Sequence, residues 1–319
     1  MVGAILVYNE KIIGESYHKK FGEAHAEVNC LDTVENVNKD LIKQSTLYVS
    51  LEPCSHFGKT PPCADLIIKN KIPKVVIGCK DEYKEVAGKG IEKLLAAGIN
   101  VINGVLEKEC IALNKRFFTF HQQQRPYIIL KWAESANGKI GSSKERIFIS
   151  NEYTNRLVHK WRSEEAAIMI GTNTALQDDP SLTTRVWTGN NPVRIVIDNE
   201  LTLPPHLKIF NKETRTIIFN KHKHEEDENL VFYKIENENS IPQMVNALYD
   251  LQIQSVLIEG GAKLLQSFID AGLWDEMRII TNEELIIEKG INSPQLKNGV
   301  LLHQEKYFSD VISYYKNIS

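Results

Sequence analysis

Long apolar runs are missing from this chain of 319 residues. None approaches the roughly 20 consecutive apolar residues that a membrane-spanning helix needs, and the N-terminus lacks the basic-then-apolar layout of a secretory leader. Cysteine is sparse: five residues, an odd number thinly spread, which does not suit a secreted disulfide framework. An excess of either charge is missing too. Thirty-eight Lys+Arg against 41 Asp+Glu leave a net charge of −3, whereas a dedicated nucleic-acid binder normally carries a basic surface. Internal repeats and low-complexity segments are also lacking. What is present is ordinary globular usage, 42% apolar and 25% charged, in a chain long enough for two cores. A cytosolic, soluble, two-domain protein is the expectation.

The elements read as two mixed α/β series. VGAILVY and IIGESYH form a hairpin closed by the polar Asn9-Glu10-Lys11 turn. A helix is predicted to start near His25. TLYVSLEP, rich in β-branched and aromatic residues, reads as a strand stopping at Pro53, and PPCADLIIKN as a helix entered through Pro61 and Pro62. KVVIGC, GIEKLLAAG and NVINGV continue as a strand, a helix closed by Gly98, and a strand. KECIALNKRFFTFHQQQRP is predicted as one helix running into a Gln-rich stretch that ends at Pro126. The domain boundary is placed there, dividing 1–122 from 123–319. The second series runs through YIILKWAES, the helix NEYTNRLVHKWRSE, and the strands AAIMIG, VRIVID and TRTIIF. It closes with a helix from Pro242 to Leu251, the strand SVLIEGG, the helix AKLLQSFIDAGL and the strand MRIIT. The HKHEEDEN run at 222–229 reads as a solvated loop.

His25-Ala26-Glu27, with Cys54 and Cys63, is the strongest chemical signal. A zinc ion that activates water takes about three nitrogen or sulfur ligands and keeps one position open. It also needs a base close to the metal that is not itself a ligand. His25 and Glu27 reach one site from a single first helical turn, while Cys54 and Cys63 frame the loop before the next helix. The positive end of a helix favours the thiolate that a metal requires. Taken singly, each residue has a plainer reading as a core histidine or a small buried thiol. Their combination is what argues for a metal. Cys30, Cys79 and Cys110 have no such company and read as core thiols.

Zinc deaminases carry H-x-E followed by P-C-x-x-C, and here the layout matches while the cysteine spacing is wider. HAEV and LEPCSHFGKTPPC, preceded by the strand VGAILVY, resemble the deaminase half of the bifunctional riboflavin-biosynthesis deaminase/reductase family. The resemblance implies a cytidine-deaminase-like mixed-sheet domain, with zinc held by His25, Cys54 and Cys63 and with Glu27 as proton shuttle. The implied substrate is a diaminopyrimidinone carrying a ribose phosphate, and His56, Lys59 and Thr60 would line its pocket. A cation and hydroxyl donors beside the metal suit a phosphate.

In the second half no G-x-G-x-x-G follows a strand, so the ordinary dinucleotide fingerprint is absent. SVLIEGGAKLL instead runs a buried strand through Glu259-Gly260-Gly261 into a helix, and two glycines there let a phosphate approach helix amides. LKWAESANGKIG, GTNTALQDDPSLTTR and NPVRIVID resemble, in order and spacing, the reductase half of the same family. The resemblance implies a dihydrofolate-reductase-like α/β domain using NADPH. Carried over by motif, the cofactor contacts are Ala133, Phe148, Thr174, Asp178 and the turn Gly261, Ala262, Lys263, Leu264, Leu265, Gln266 and Ser267. The substrate contacts are Lys131, Arg162, Leu182, Arg185 and Glu259. Arginine suits a phosphoribosyl group because its fork is bidentate and permanently charged.

The chain departs from the family's usual residues at Asn137, usually Asp, at Phe148, usually Trp, and at Arg146, usually small and polar. The family also opens with a helix and a Pro-Asn-Pro segment ahead of the Val-Gly strand, and this sequence starts at Met1-Val2-Gly3. The expectation from that start is a weak or inactive deaminase beside a relatively intact reductase. The implied protein deaminates the pyrimidinone and then reduces its ribosyl side chain to ribityl, in the cytoplasm, acting on a small molecule without nucleic acid or membrane, as a homodimer through the reductase half. One alternative is a deaminase whose second domain only binds substrate or dimerises. Another is a nucleic-acid-editing deaminase, against which the net charge and the lack of a basic aromatic stripe count.

Overall fold

The protein, described from a computed structural model, is defined over residues 2–20, 22–57, 61–81, 88–142, 147–236 and 240–318. Lys59, Thr60 and Arg146 lie outside the described residues. The chain divides into two compact units, Met1–Gln123 and Gln124–Ser319.

In the first unit β1 (Gly3–Tyr8) and β2 (Lys11–Tyr17) form the hairpin, and Asn9 and Glu10 both take positive φ in its turn. The helix α1 (Ala26–Asp32) follows, then β3 (Thr46–Leu51), α2 (Cys63–Lys69), β4 (Lys74–Cys79), α3 (Lys89–Ala96) and β5 (Asn100–Asn103). The strands make one sheet in the order β2-β1-β3-β4-β5, with β1 antiparallel to β2 and β3 and the β3-β4-β5 ladders parallel. Leu6, Leu47, Val75 and Ile77 from the strands meet Cys30, Ile67 and Leu94 from the helices in one buried cluster. Alternation along β1 and β3 sends every second side chain to that core.

The single helix predicted across the end of this unit is two, α4 (Glu107–Leu113) and α5 (Lys115–Gln123). Asn114 separates them at φ −108°, ψ 18°, and its side-chain amide donates to the Cys110 carbonyl at 3.3 Å. An asparagine that takes up a carbonyl of the preceding turn competes with the helix ladder. A 3-10 helix, Asn36–Gln44, precedes β3 without having been predicted.

The second unit is a ten-stranded sheet with helices on both faces. Its elements are β6 (Tyr127–Ser135), α6 (Glu152–Glu164), β7 (Ala167–Gly171), α7 (Thr172–Asp178), β8 (Val193–Ile197), β9 (Thr216–Asn220), β10 (Glu225–Asp227) and β11 (Leu230–Lys234). There follow α8 (Ser240–Asp250), β12 (Ser255–Ile258), α9 (Ala262–Asp270), β13 (Glu276–Asn282), β14 (Gly299–Tyr307) and β15 (Asp310–Asn317). Strand order is β10-β11-β9-β8-β7-β12-β6-β13-β15-β14, parallel from β11 to β13 with an antiparallel strand or hairpin at each edge. Leu248 of α8 and Phe268 of α9 pack with Ile128 and Met277 on one face, and Val158 and Trp161 of α6 pack with Ile129 and Ile280 on the other. The 222–229 run is not wholly loop, because Glu225–Asp227 pairs as an exposed edge strand with β11. Among the described residues, no helix is long and apolar enough to cross a membrane.

One carboxylate ties the first unit together where β3 ends. Glu52, 4% exposed, accepts from the backbone amides of Asp81, Gly88, Gly90 and Ile91 at 2.9–3.2 Å. It therefore fixes the start of α3 against the strand end that carries Cys54. A buried N–H left without its acceptor is destabilising by about 1–3 kcal/mol. Glu52→Ala is expected to lower the denaturant midpoint for unfolding of this unit by an amount equivalent to about 3 kcal/mol, read as zinc release with a chromophoric chelator. Release at the wild-type midpoint would remove this role.

Candidate active sites

The first site lies where two helices begin against the end of β3. His25 is the N-cap of α1, in extended conformation at φ −70°, ψ 167°, so its ring stands ahead of the helix. Glu27 falls in the first turn of α1 and is 3% exposed. β3 stops at Leu51 ahead of Pro53, which has no N–H to continue a ladder. Cys54 follows at once, and Cys63 opens α2 behind the N-cap Pro62.

The three side chains converge. The Nδ1 atom of His25 lies 3.5 Å from Cys54 Sγ and 3.4 Å from Cys63 Sγ, and all three ligand atoms fall within 4.8 Å of one another. Ligands at zinc–sulfur 2.3 Å and zinc–nitrogen about 2.05 Å on a tetrahedron stand about 3.6 Å apart, so this donor set fits zinc in spacing and in type. Among the described residues it is the one cluster of three or more such groups placed to hold a metal. The arrangement already favours thiolate. The Cys63 thiol hydrogen-bonds Cys54 and lowers it to about 4 against the opposing effect of burial, His25 adds to the lowering, and the Cys63 backbone N–H donates to Cys54 Sγ at 3.3 Å. Cys63, the donor of that pair, is pushed up. Burial pushes the Glu27 carboxyl up, leaving it ready to carry a proton.

His18 is a neighbour that sequence reasoning missed. Its ring packs edge-on against His25 at 5.3 Å between centroids, and its Nδ1 lies 3.1 Å from the Ala24 carbonyl. The seven-residue spacing crosses from β2 to α1, so no helical or strand period reveals it. His56 is exposed, and Lys59 and Thr60 lie outside the described residues.

The second site lies at the carboxyl ends of β6, β12 and β7, which are adjacent in the sheet. Such ends of parallel strands are where α/β proteins bind ligands. Glu259, just past β12, accepts from Arg162 Nε at 2.8 Å and Nη2 at 2.6 Å, with the side chains 8% and 13% exposed. Burial by itself would raise the Glu259 carboxyl, but Arg162, with help from Lys131, holds it down at about 2. Burial and Arg162 lower the Lys131 ammonium, while Glu259 acts the other way. Lys131, Arg162 and Glu259 therefore form one charged group inside the domain. Arg185 stands beside it through His159, which sequence reasoning also missed: the Arg185 N–H donates to His159 Nδ1 at 3.1 Å.

The expected cofactor residues part into two sets. Gly261, at φ 55°, caps α9 close to Thr174, whose Oγ1 would lie 3.3 Å from a Cβ built on the glycine. No side chain caps this helix start, and Ala262 and Lys263 supply its first amides. That cradle, with Thr174 beside it, fits the anionic portion of a dinucleotide, whereas Ala133, near the end of β6, packs against the cluster of Ile129 and Ile280. Leu265 is fully buried in the core, Ser267 donates back to the Lys263 carbonyl, Gln266 bonds Asp270 and the Gln295 backbone, and Leu264 packs toward Gly171. Their side chains serve the helix. Leu182 likewise is 2% exposed, in the cluster with Ile168 and Val196, and at φ 53° it offers a ligand only its backbone. Phe148 is 78% exposed, and Asp178 ends α7. Asn137 accepts from Ser135 Oγ at 2.7 Å and the Ile287 N–H at 3.2 Å and donates to the Ile287 carbonyl at 2.9 Å, the last of which an aspartate could not do.

Fold and sites together define a zinc deaminase unit followed by an NADPH-dependent reductase unit. Residues 1–79 match the cytidine and deoxycytidylate deaminase zinc-binding region, and residues 126–283 match the RibD C-terminal domain. The chain is 40% identical over 297 residues to riboflavin biosynthesis protein RibD of Aquifex aeolicus, covering 90% of this chain and 82% of that one. With RibD of Escherichia coli it shares 32% over 334 residues, 95% of this chain and 90% of the relative. Among solved structures, a diaminohydroxyphosphoribosylaminopyrimidine deaminase/5-amino-6-(5-phosphoribosylamino)uracil reductase from Thermotoga maritima superposes with a TM-score of 0.90 at 33% identity, over 99% of this chain and 91% of that one. Acinetobacter baumannii RibD gives 0.89 at 29% identity over 99% and 91%. The chain belongs to the RibD family of riboflavin-biosynthesis proteins.

The geometry places Cys54 where it could hold a metal together with His25 and Cys63. Cys54→Ser is expected to bring zinc well below stoichiometry after dialysis against a chelator, because a hydroxyl is a poor substitute for thiolate. Elemental analysis returning full zinc would exclude Cys54 from the metal shell.

Proposed function

We propose that this protein carries out two consecutive steps of riboflavin biosynthesis on one substrate. It hydrolytically deaminates 2,5-diamino-6-(5-phosphoribosylamino)pyrimidin-4-one, then reduces the ribosyl side chain to ribityl at the expense of NADPH. The observation that carries the first step is the His25–Cys54–Cys63 cluster with the buried Glu27 carboxyl, raised by its burial, beside it. Zinc bound there supplies electrophilic activation of water. Glu27 receives the proton of the attacking water and passes it to the leaving ammonia, a role suited to a carboxyl whose pKa burial has raised. His56, Lys59 and Thr60 are assigned to the phosphate-bearing side of that pocket.

NADPH supplies the hydride of the second step. The Gly261 turn and Thr174 hold its anionic part, with Ala133, Phe148 and Asp178 assigned to the remainder. The pair with Glu259 fixes the plane of the Arg162 guanidinium. Lys131, Arg162 and Arg185 give the site an excess of positive charge over Glu259, which suits a phosphoribosyl substrate. The substrate is a small molecule, and nucleic acid and membrane are not part of this reading. We further assign a cytoplasmic location, which suits five reduced thiols. A homodimer through the second unit is supported by β14, an edge strand whose Val300, Leu301 and Leu302 are exposed.

Product analysis with the phosphoribosyl diaminopyrimidinone tests the reading directly. Ammonia release without NADPH, and ribityl product only with it, is the expected result. Glu27→Gln should retain zinc yet lose deamination by about a thousandfold; a variant that also sheds its metal would turn Glu27 into a ligand. Glu259→Ala should depress reduction about a hundredfold, since removing one partner of a buried charge pair strands the other, while ammonia release persists. Equal loss of both activities in a folded protein would contradict separate sites.

A further inference from the structure

The loop after α7 carries Arg185 and is docked along α6 at several points. The Arg185 N–H donates to His159 Nδ1 at 3.1 Å. The Thr183 backbone also lies beside the His159 ring. Lys160 lies 5.7 Å from the centre of the Trp187 ring. Gly189 meets Ser163 so closely that a Cβ there would stand 2.5 Å from the Ser163 Cβ. Within the loop, Arg185 Nη1 donates to Thr183 Oγ1 at 3.1 Å. His159 is 3% exposed and stands one helical turn before Arg162, so both project from one side of α6.

We propose that His159 is a positioning residue of the reductase: its neutral imidazole accepts from the Arg185 amide and so sets the Arg185 guanidinium beside Arg162 for an anionic substrate. The inference rests on the functional reading above. The ring touches neither cofactor nor substrate in this role; it acts through Arg185. It must remain an acceptor, because a proton on Nδ1 would oppose the Arg185 N–H. The surroundings enforce this. Burial lowers the imidazole to about 4, Arg162 and Arg185 add to the lowering, and Glu259 is the opposing charge. Above about pH 5 the docking bond therefore stays intact.

The test uses the full-length protein with His159→Ala, His159→Asn and His159→Gln. Asn places an acceptor near the position of Nδ1, and Gln places its polar end near Nε2. His159→Ala is expected to raise KM for the deaminated phosphoribosyl pyrimidine about tenfold, the equivalent of one hydrogen bond, with KM for NADPH unchanged. His159→Asn should recover most of that loss and His159→Gln little of it. Wild-type kinetics in the alanine variant, a parallel rise in KM for NADPH, or equal behaviour of Asn and Gln would overturn the proposal. Nitrogen chemical shifts of the His159 ring give a readout independent of turnover: an unprotonated Nδ1 down to about pH 5 is expected, and a protonated Nδ1 at neutral pH would refute the docking bond. If wild-type protein oxidises no NADPH with this substrate, the functional reading fails, and the ring shifts still decide where His159 binds.

Discussion

Bringing the Glu259 carboxylate to 8% exposure takes it out of water at a cost of several kcal/mol that only a well-placed cation offsets. Arg162 does this with two short, near-parallel bonds, and the rest of the second site follows from that pair. Because the ion pair joins the end of β12 to the third turn of α6, it fixes how α6 lies over the sheet. It also makes Arg162 unable to move independently, so a ligand meets a cation already oriented. Lys131, on the central strand β6, then sits near one negative and one positive charge, and its ammonium is easier to deprotonate than an exposed lysine's.

The first unit solves the same problem with backbone. The Cys54 sulfur accepts the Cys63 N–H, and Glu52 accepts four amides across the gap between β4 and α3. Both acceptors hang from the end of β3, within three residues of each other. The strand end is thus held by N–H donors from the starts of two helices, α2 and α3, while α1 brings His25 and Glu27 from a third. Three groups placed to hold a metal from a strand end and two helix starts would not need to be ordered by it, since their supports are hydrogen-bonded without it.

Much of this was legible in the sequence because its signals are local. His25-x-Glu27 lies on one helical turn, Pro53-Cys54 marks a strand end, and Glu259-Gly260-Gly261 marks a strand-to-helix turn. What was missed is non-local or hidden by the period. Glu52 was part of the quoted motif, but its four amides lie 29 to 39 residues further on. His159 was inside a predicted helix, three residues before Arg162, and only the arrival of the 183–185 segment gives it a partner. The C-terminal hairpin β14–β15 escaped because β14 is largely exposed and groups its apolar residues as Val300, Leu301 and Leu302 ahead of a polar half, so no alternation marks it. The break at Asn114 shows the reverse case, where periodicity continued across a residue that ends one helix and starts another. Of the run from Gly261 to Ser267, the motif could not separate amides that face a ligand from side chains that face the core; burial of Leu265 does.

The two glycines after Glu259 illustrate how one short motif answers three separate demands. Gly260 runs against β7: a Cβ on it would stand 2.8 Å from the Cβ of Ile170 and 2.9 Å from its Cα, contacts no ordinary side chain tolerates. It is small so that the turn can lie on the neighbouring strand. Gly261 sits at φ 55°, ψ 132°, a combination closed to residues with a Cβ. It is flexible so that the chain can swing from strand into helix within one residue. Glu259 needs neither property and supplies the charge. Replacing the first glycine would push the turn off β7, and replacing the second would strain the turn itself. Either change would shift the α9 amides relative to Glu259 and its partner Arg162. The spacing Glu-Gly-Gly therefore sets how far the start of α9 stands from the Glu259–Arg162 pair.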